Sequence, residues 1–323
     1  MKNYLKTFIH CCLIAVILIF SGMTHAQAWP NKPIRWIVPF PPGGPADLTA
    51  RQIAPLLSER LGQPILIDNR PGGNSNIGFE AGARAPNDGY TMLFVVAGFV
   101  TNPHLYKLTW DPLKDFVPVV QLNQLQIMLL ASSRFAPNNL NDVVSAIKAK
   151  PGQVKCAWGG SILLGLACET MKLEGKLDVT VVPYKGSAPA MNDLIGGHVD
   201  LMIEVMNTAV GQIKSGNVKP IAVLNTSKGR APFAELPTLN EVLPGFEMLP
   251  WQGIVMPAGT PKPIVDKLNQ EVTAVLQSAV MKQRYQESGL DFYPMSSEQF
   301  GQLMAKDYVK YGKIIKAANI KVD

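Results

Sequence analysis

Pro39-Phe40-Pro41-Pro42-Gly43-Gly44-Pro45-Ala46-Asp47 is the stretch whose reading decides the fold. A short apolar strand, Ile34 to Val38, runs straight into it. Prolines 39, 41, 42 and 45 stiffen the loop and withdraw amide donors, while Gly43 and Gly44 leave backbone N–H groups uncovered by any Cβ. Asp47 offers a helix N-cap, and Ile53, Leu57 and Leu61 recur on one face of the helical pattern that follows. Strand, glycine-rich turn and helix N-terminus is how α/β proteins hold anions, because amides and helix dipole point at one spot. The same residues also suit a plain strand-to-helix connection with an ordinary cap.

Working outward, apolar strands alternate with amphipathic helices almost throughout, which argues an α/β protein with parallel sheets. Strands are predicted at 34–38, 64–68, 90–96, 126–131, 153–158, 179–182, 199–203, 219–224 and 252–256. Helices are predicted near 47–61, 77–84, 139–150, 161–174, 188–195, 206–214, 262–278, 279–288 and 297–318. Ser296 and Gln299 form a capping box for the last of them. Pro55 falls inside the first, where it costs stability or bends the helix.

The N-terminus reads as a secretory leader. Lys2 and Lys6 supply its positive region, Phe8 to Phe20 is apolar apart from His10, and Ala26-Gln27-Ala28 is a small-x-small cleavage site. The expectation is cleavage after Ala28 and export to the periplasm as a soluble chain of about 295 residues. Both lysines leave with the leader, so the formal charge falls from +6 to +4. No cluster of Lys or Arg and no aromatic-spaced basic stripe accompanies that charge, so nucleic acid is not an expected partner.

Cleavage leaves two cysteines. Cys156 belongs to a predicted strand and Cys168 lies about two turns into the next helix, so the two sit at similar height in a βα unit. A disulfide is within reach and an exported setting permits it; two buried free thiols are the alternative.

Enzyme chemistry finds few parts. His104 and His198 are the only histidines after the leader, and the nucleophile elbow, the P-loop lysine motif and the dinucleotide glycine turn are absent from the sequence. No catalytic residues, metal or cofactor are implied.

Several ordered blocks add a resemblance. They are Ile37-Val38-Pro39-Phe40-Pro41-Pro42-Gly43-Gly44, Asn69-Arg70-Pro71-Gly72-Gly73, Pro86-Asn87-Asp88-Gly89-Tyr90-Thr91, Val182-Pro183-Tyr184-Lys185-Gly186-Ser187-Ala188-Pro189-Ala190 and Pro257-Ala258-Gly259-Thr260-Pro261. Together they resemble the Bug or TctC-type receptors of tripartite tricarboxylate transporters over nearly the whole chain after the leader. The resemblance implies a type II periplasmic binding protein, two α/β lobes with a ligand cleft between them. Lobe one would comprise 29–127 plus 251–323, and lobe two 128–250.

It also implies the function: a receptor, acting as a monomer, that closes on a small carboxylate and delivers it to inner-membrane permease subunits. A carboxylate-acting enzyme of the same build and a ligand sensor without a transport role are the rival readings. In this family the carboxylate is held between the first loop, here Phe40, Pro41, Pro42, Gly43 and Gly44, and a facing loop, here Trp158, Gly159, Gly160 and Ser161. Asp47 is a cap or a contact; Ser75 and Asn76 contact ligand or open the next helix; Lys185 and Gly186 reach the cleft, or Lys185 is a solvated surface lysine. Gly98 belongs to the apolar loop after Tyr90, and Glu204 either orients a bridging water or faces solvent. Trp158, Ile162 and Phe99 stand where relatives carry small polar residues, which points to an acid with an apolar body rather than a short hydroxy acid.

Overall fold

The computed structural model describes residues 29–159, 161–224, 233–246, 248, 250–288 and 290–321. The predicted leader and Gly160 lie outside the described residues. The chain builds two sheets. The first contains β1 (Ile34–Val38), β2 (Ile65–Asn69), β3 (Thr91–Val96), β4 (Phe116–Leu125), β10 (Trp251–Pro257) and β11 (Leu290–Asp291), in the order β11-β4-β10-β3-β1-β2. The second contains β5 (Ile127–Ser132), β6 (Lys155–Gly159), β7 (Thr180–Tyr184), β8 (Leu201–Val205) and β9 (Val218–Val223), in the order β7-β6-β8-β5-β9.

Neither sheet is all parallel, which corrects the expectation from sequence. β1 runs parallel to β2 and β3, but β10 is antiparallel to both β3 and β4. In the second sheet β6 is parallel to β7 and β8, while β5 opposes β8 and β9. The antiparallel strands are those flanking the places where the chain leaves one sheet for the other and returns. Gln126 alone separates β4 from β5, and the Leu125 N–H donates to the Pro250 carbonyl at 2.8 Å, so the two crossings lie side by side.

β4 is a strand that the hydrophobic pattern does not announce. Pro118 interrupts it at a bulge, where the register against β10 shifts between Ile254 and Val255. A bulge tolerates a residue without an N–H, and Pro118 faces β10 alone, since β11 pairs with β4 only at Leu125 and Gln124.

Among the described residues ten α-helices cover the sheets: α1 (Pro45–Leu61), α2 (Asn76–Ala83), α3 (Gly98–Thr101), α4 (Leu140–Ala149), α5 (Ile162–Leu173), α6 (Ser187–Gly196), α7 (Met206–Lys214), α8 (Lys262–Leu276), α9 (Ala279–Ser288) and α10 (Ser297–Ala317). Ile53 and Leu57 of α1 and Val265, Leu268 and Val272 of α8 pack on Trp36 and Phe94 of the first sheet. The other face of that sheet shares one continuous apolar core with the second sheet. Phe300, Met304 and Ile314 of α10 join Leu166 and Met171 of α5 in it, so the C-terminal helix ties the two lobes together. The Ser296–Gln299 capping box starts α10 as its sequence indicates. Pro55 is accommodated inside α1, and Arg284 Nη1 donates to the Gln52 carbonyl at 3.2 Å in the turn that proline disturbs.

Candidate functional site

Where the two sheets meet, their loops enclose a cavity of ≈ 300 Å³. Phe40, Pro41, Gly44, Pro45 and Ala46 form one wall, continued by Val96, Ala97 and Gly98 after β3. Ser161 and Leu163 face them from the second lobe. Leu125, Pro250, Trp251 and Gln252 close the cavity along the crossings. The lining is apolar save for Ser161, Gln252 and the backbone.

That backbone is the chemically active part. Gly44 is the N-cap of α1 and Pro45 its first residue, so the Ala46 and Asp47 N–H groups have no acceptor within the helix. Ser161 is the N-cap of α5, which leaves the Ile162 and Leu163 N–H groups in the same position. Neither cap residue spends a side-chain bond on its own helix. Two helix N-termini, one from each lobe, therefore border one apolar cavity. Amide donors and two positive dipole ends suit an anion.

Asp47 is neither the cap nor a cavity residue, a correction to the sequence reading. It sits in the first turn, 1 % exposed, and works on the loop. Its Oδ2 accepts from the Gly43 N–H and from Arg51 Nε, both at 2.8 Å, and its Oδ1 accepts from Asn69 Nδ2 at 2.9 Å. Asn69 Nδ2 also donates to the Phe40 carbonyl at 3.1 Å. The Gly43 amide is thus committed to Asp47 rather than offered to a ligand, and Gly43 serves through its φ of 80°, which a side chain rarely adopts.

The Arg51 hydrogen bond, helped by the Gly43 and Asn69 amides, outweighs burial and holds the Asp47 carboxyl at about 2, below its ordinary 3.8. A depressed carboxylate stabilises the fold fully above the unfolded value and loses that contribution as pH falls through the folded one. The wild-type protein should accordingly lose on the order of 2 kcal/mol more than Asp47→Asn between pH 4 and pH 2. Urea unfolding of both proteins across that window measures the difference; parallel curves would refute the role.

The remaining predicted site residues are distributed as follows. Phe40, Pro41, Gly44, Gly98 and Ser161 line the cavity, whereas Pro42 is exposed beside it. Ser75 is the N-cap of α2 and Asn76 Oδ1 accepts from Asn102 Nδ2 at 2.9 Å, which ties both to local structure away from the cavity. Trp158 lies over Gly165, where an added Cβ would sit 2.5 Å from its ring, and packs on the core. Gly159 is buried against the Gly186 carbonyl, and Lys185 is exposed. Glu204 does not face solvent: it is 1 % exposed, its Oε1 accepts from the Val205 N–H at 2.7 Å, and it is not part of the cavity wall.

Two further expectations change. Phe99 is wholly buried among Phe79, Trp110 and Phe116, and Ile162 does not border the cavity. The apolar lining comes instead from Val96, Ala97 and Leu163, which belong to the same two apolar stretches of sequence as Phe99 and Ile162, and from Leu125 and Trp251, which the sequence does not single out.

Cys156 and Cys168 form a disulfide, S–S 2.13 Å with Cα atoms 6.2 Å apart. It joins β6 to α5 and so brackets the loop that carries Ser161.

Comparison with known proteins agrees with this architecture. The family described as "Tripartite tricarboxylate transporter family receptor" matches residues 49–320. BugT of Bordetella pertussis (strain Tohama I) is 31 % identical, over 96 % of this chain and 98 % of its own. Among solved structures, R. palustris Rpa4515 with adipate is 32 % identical with a TM-score of 0.74, covering 91 % of this chain and 99 % of its own. MatC of Rhodopseudomonas palustris with bound malate is 30 % identical with a TM-score of 0.69, covering 89 % of this chain and all of its own. The chain is a two-lobed periplasmic binding protein and belongs to the tripartite tricarboxylate transporter receptor family.

Proposed function

We propose that this protein binds a small carboxylate in the cavity between its lobes and delivers it to inner-membrane permease subunits. It would do so as a monomer in the periplasm, after removal of the leader behind Ala28. The observation that carries the reading is the pair of helix N-termini, α1 and α5, on opposite sides of one cavity. Charge-assisted bonds from the Ala46, Asp47, Ile162 and Leu163 amides would substitute for a formal positive charge. All of them reach the same oxygen atoms only with the lobes together, so ligand shifts the population toward the closed form that a membrane partner recognises. Adipate in one relative and malate in another support a carboxylate as the ligand class.

A thermal-shift screen against carboxylates, followed by calorimetry on the best binder, tests the reading. Gly44→Asp sharpens it. Gly44 has φ −77° and ψ 169°, extended backbone open to any residue, and an added Cβ would meet only the Pro41 carbonyl at 3.5 Å. Aspartate is a favoured N-cap, so the fold should keep or gain stability while the new carboxylate occupies the Ala46 and Asp47 amides. Ligand affinity is expected to fall by at least about 2 kcal/mol. Affinity equal to wild type would sink the placement, and conversion of the bound acid to a product would favour an enzyme instead.

A further inference from the structure

Gln252 is the one cavity-lining amide side chain, and its geometry has a direction. It is the second residue of β10, opposite Val96 of β3 and Asn123 of β4, immediately before a shift in the β10–β4 register. Such irregularities re-aim side chains. Asn123 Nδ2 donates to Gln252 Oε1 at 2.8 Å, which fixes the terminal amide. Gln252 lines the cavity; its Nε2 makes no hydrogen bond among the described residues and, unlike the amides of Gln121 and Gln126, is not sealed from solvent. With its oxygen engaged by Asn123 and its NH2 group open to the cavity in an otherwise apolar wall, Gln252 presents a directed donor to whatever occupies that cavity.

We infer that Gln252 is a ligand-binding residue that reads a second acceptor oxygen on the acid, apart from the carboxylate seated at the two helix N-termini. The inference rests on the carboxylate reading above and narrows its ligand class. The favoured ligand has a carboxylate at one end, a methylene or other apolar body against Phe40, Val96 and Leu163, and an oxygen acceptor beyond it. A keto oxygen and a second carboxylate both present that chemistry. A simple fatty acid does not, and would leave the Gln252 NH2 unpaired. Acids with several hydroxyls along the body are disfavoured too, because Ser161 and Gln252 are the only polar side chains among the lining residues apart from the Trp251 indole, which is bonded to Asp307.

The test uses straight-chain acids of four to eight carbons in three forms: methyl-ended, oxo-ended and carboxylate-ended. Calorimetric titration at the best-binding length should show the wild-type protein preferring an oxygen-bearing end over the methyl end by about tenfold or more. The oxo and carboxylate arms then separate a neutral acceptor from a charged one. Gln252→Met keeps the volume but removes the amide, and Gln252→Glu keeps the acceptor for Asn123 while losing the donor. In both, the ratio of affinities between oxygen-bearing and methyl-ended acids should collapse toward one. A purely structural role for Gln252 would weaken all three forms alike and leave the ratio in place. That result, or a wild-type protein indifferent to the end group or blind to the whole series, overturns the assignment. The carboxylate reading itself falls only if the broader screen also finds no acid that binds.

Discussion

Gly159→Ala is expected to destabilise the second lobe by about 3 kcal/mol or more and to abolish ligand binding. A Cβ at this position would lie 2.2 Å from the Gly186 carbonyl oxygen, 2.4 Å from its carbon and 2.8 Å from the Ser187 nitrogen. All three are backbone atoms, so no side-chain rotation relieves the contact. β6 cannot retreat either, because it is paired to β7 on one side and β8 on the other. Either the end of β6 or the start of α6 must move. Moving β6 displaces Ser161 and the α5 N-terminus, and with them half of the proposed anion site. Urea unfolding followed by tryptophan fluorescence, with calorimetric titration alongside, reads both effects. A stable variant that binds normally would show that this close approach is not needed.

Removing the disulfide should cost about 3 kcal/mol in the chain-entropy account, given the 12-residue separation of Cys156 and Cys168. Both cysteines are wholly buried, so each alanine in the Cys156→Ala/Cys168→Ala protein also forfeits some packing. The unfolded chain of that variant is less constrained, so its stability should fall to that of wild type unfolded in the presence of a reductant, or somewhat below it by the packing the alanines lose. Burial also shields the bond while the protein is folded, and wild type should therefore keep its full stability in reductant until it first unfolds. Denaturant midpoints for the two proteins, each with and without dithiothreitol, decide the matter. Identical midpoints in all four experiments would mean the bond adds nothing. Because the bond brackets the loop bearing Ser161, ligand affinity should weaken together with stability.

Alternating strands and helices were legible along the chain because each carries its own periodicity. What lay outside was set by partners distant in sequence. β4 holds Pro118, Gln121, Asn123 and Gln124, and it reads as a strand only once β10 is beside it. The start of α1 was misplaced by two residues because Asp47 resembles a cap; Pro45 at the first helical position was the better signal. In the site, the proline-glycine loop and Ser161 were visible as turns before helices. Ile162 rather than Leu163 read as the cleft residue, the reverse of the lining, since both faces at the start of α5 are apolar and periodicity does not say which one meets the cavity. Gln252 carries no local signal at all. Its orientation depends on Asn123, 129 residues earlier.

Strand β10 lies inside the first sheet, between β3 and β4, yet it begins at residue 251, after every strand of the second sheet. A chain that emerges N-terminus first can complete the second sheet while the first still lacks a middle strand. Until β10 arrives, Thr91–Val96, a nearly continuous apolar run, keeps one edge open, and β4 has no early partner, because its other neighbour, β11, comes later still. Non-local pairing of this kind closes a long loop before any contact rewards it, which slows folding. An open apolar edge is meanwhile a template for pairing with another chain. The interval before residue 257 is added is thus the period of greatest aggregation risk, and it belongs to the order of synthesis rather than to the finished molecule.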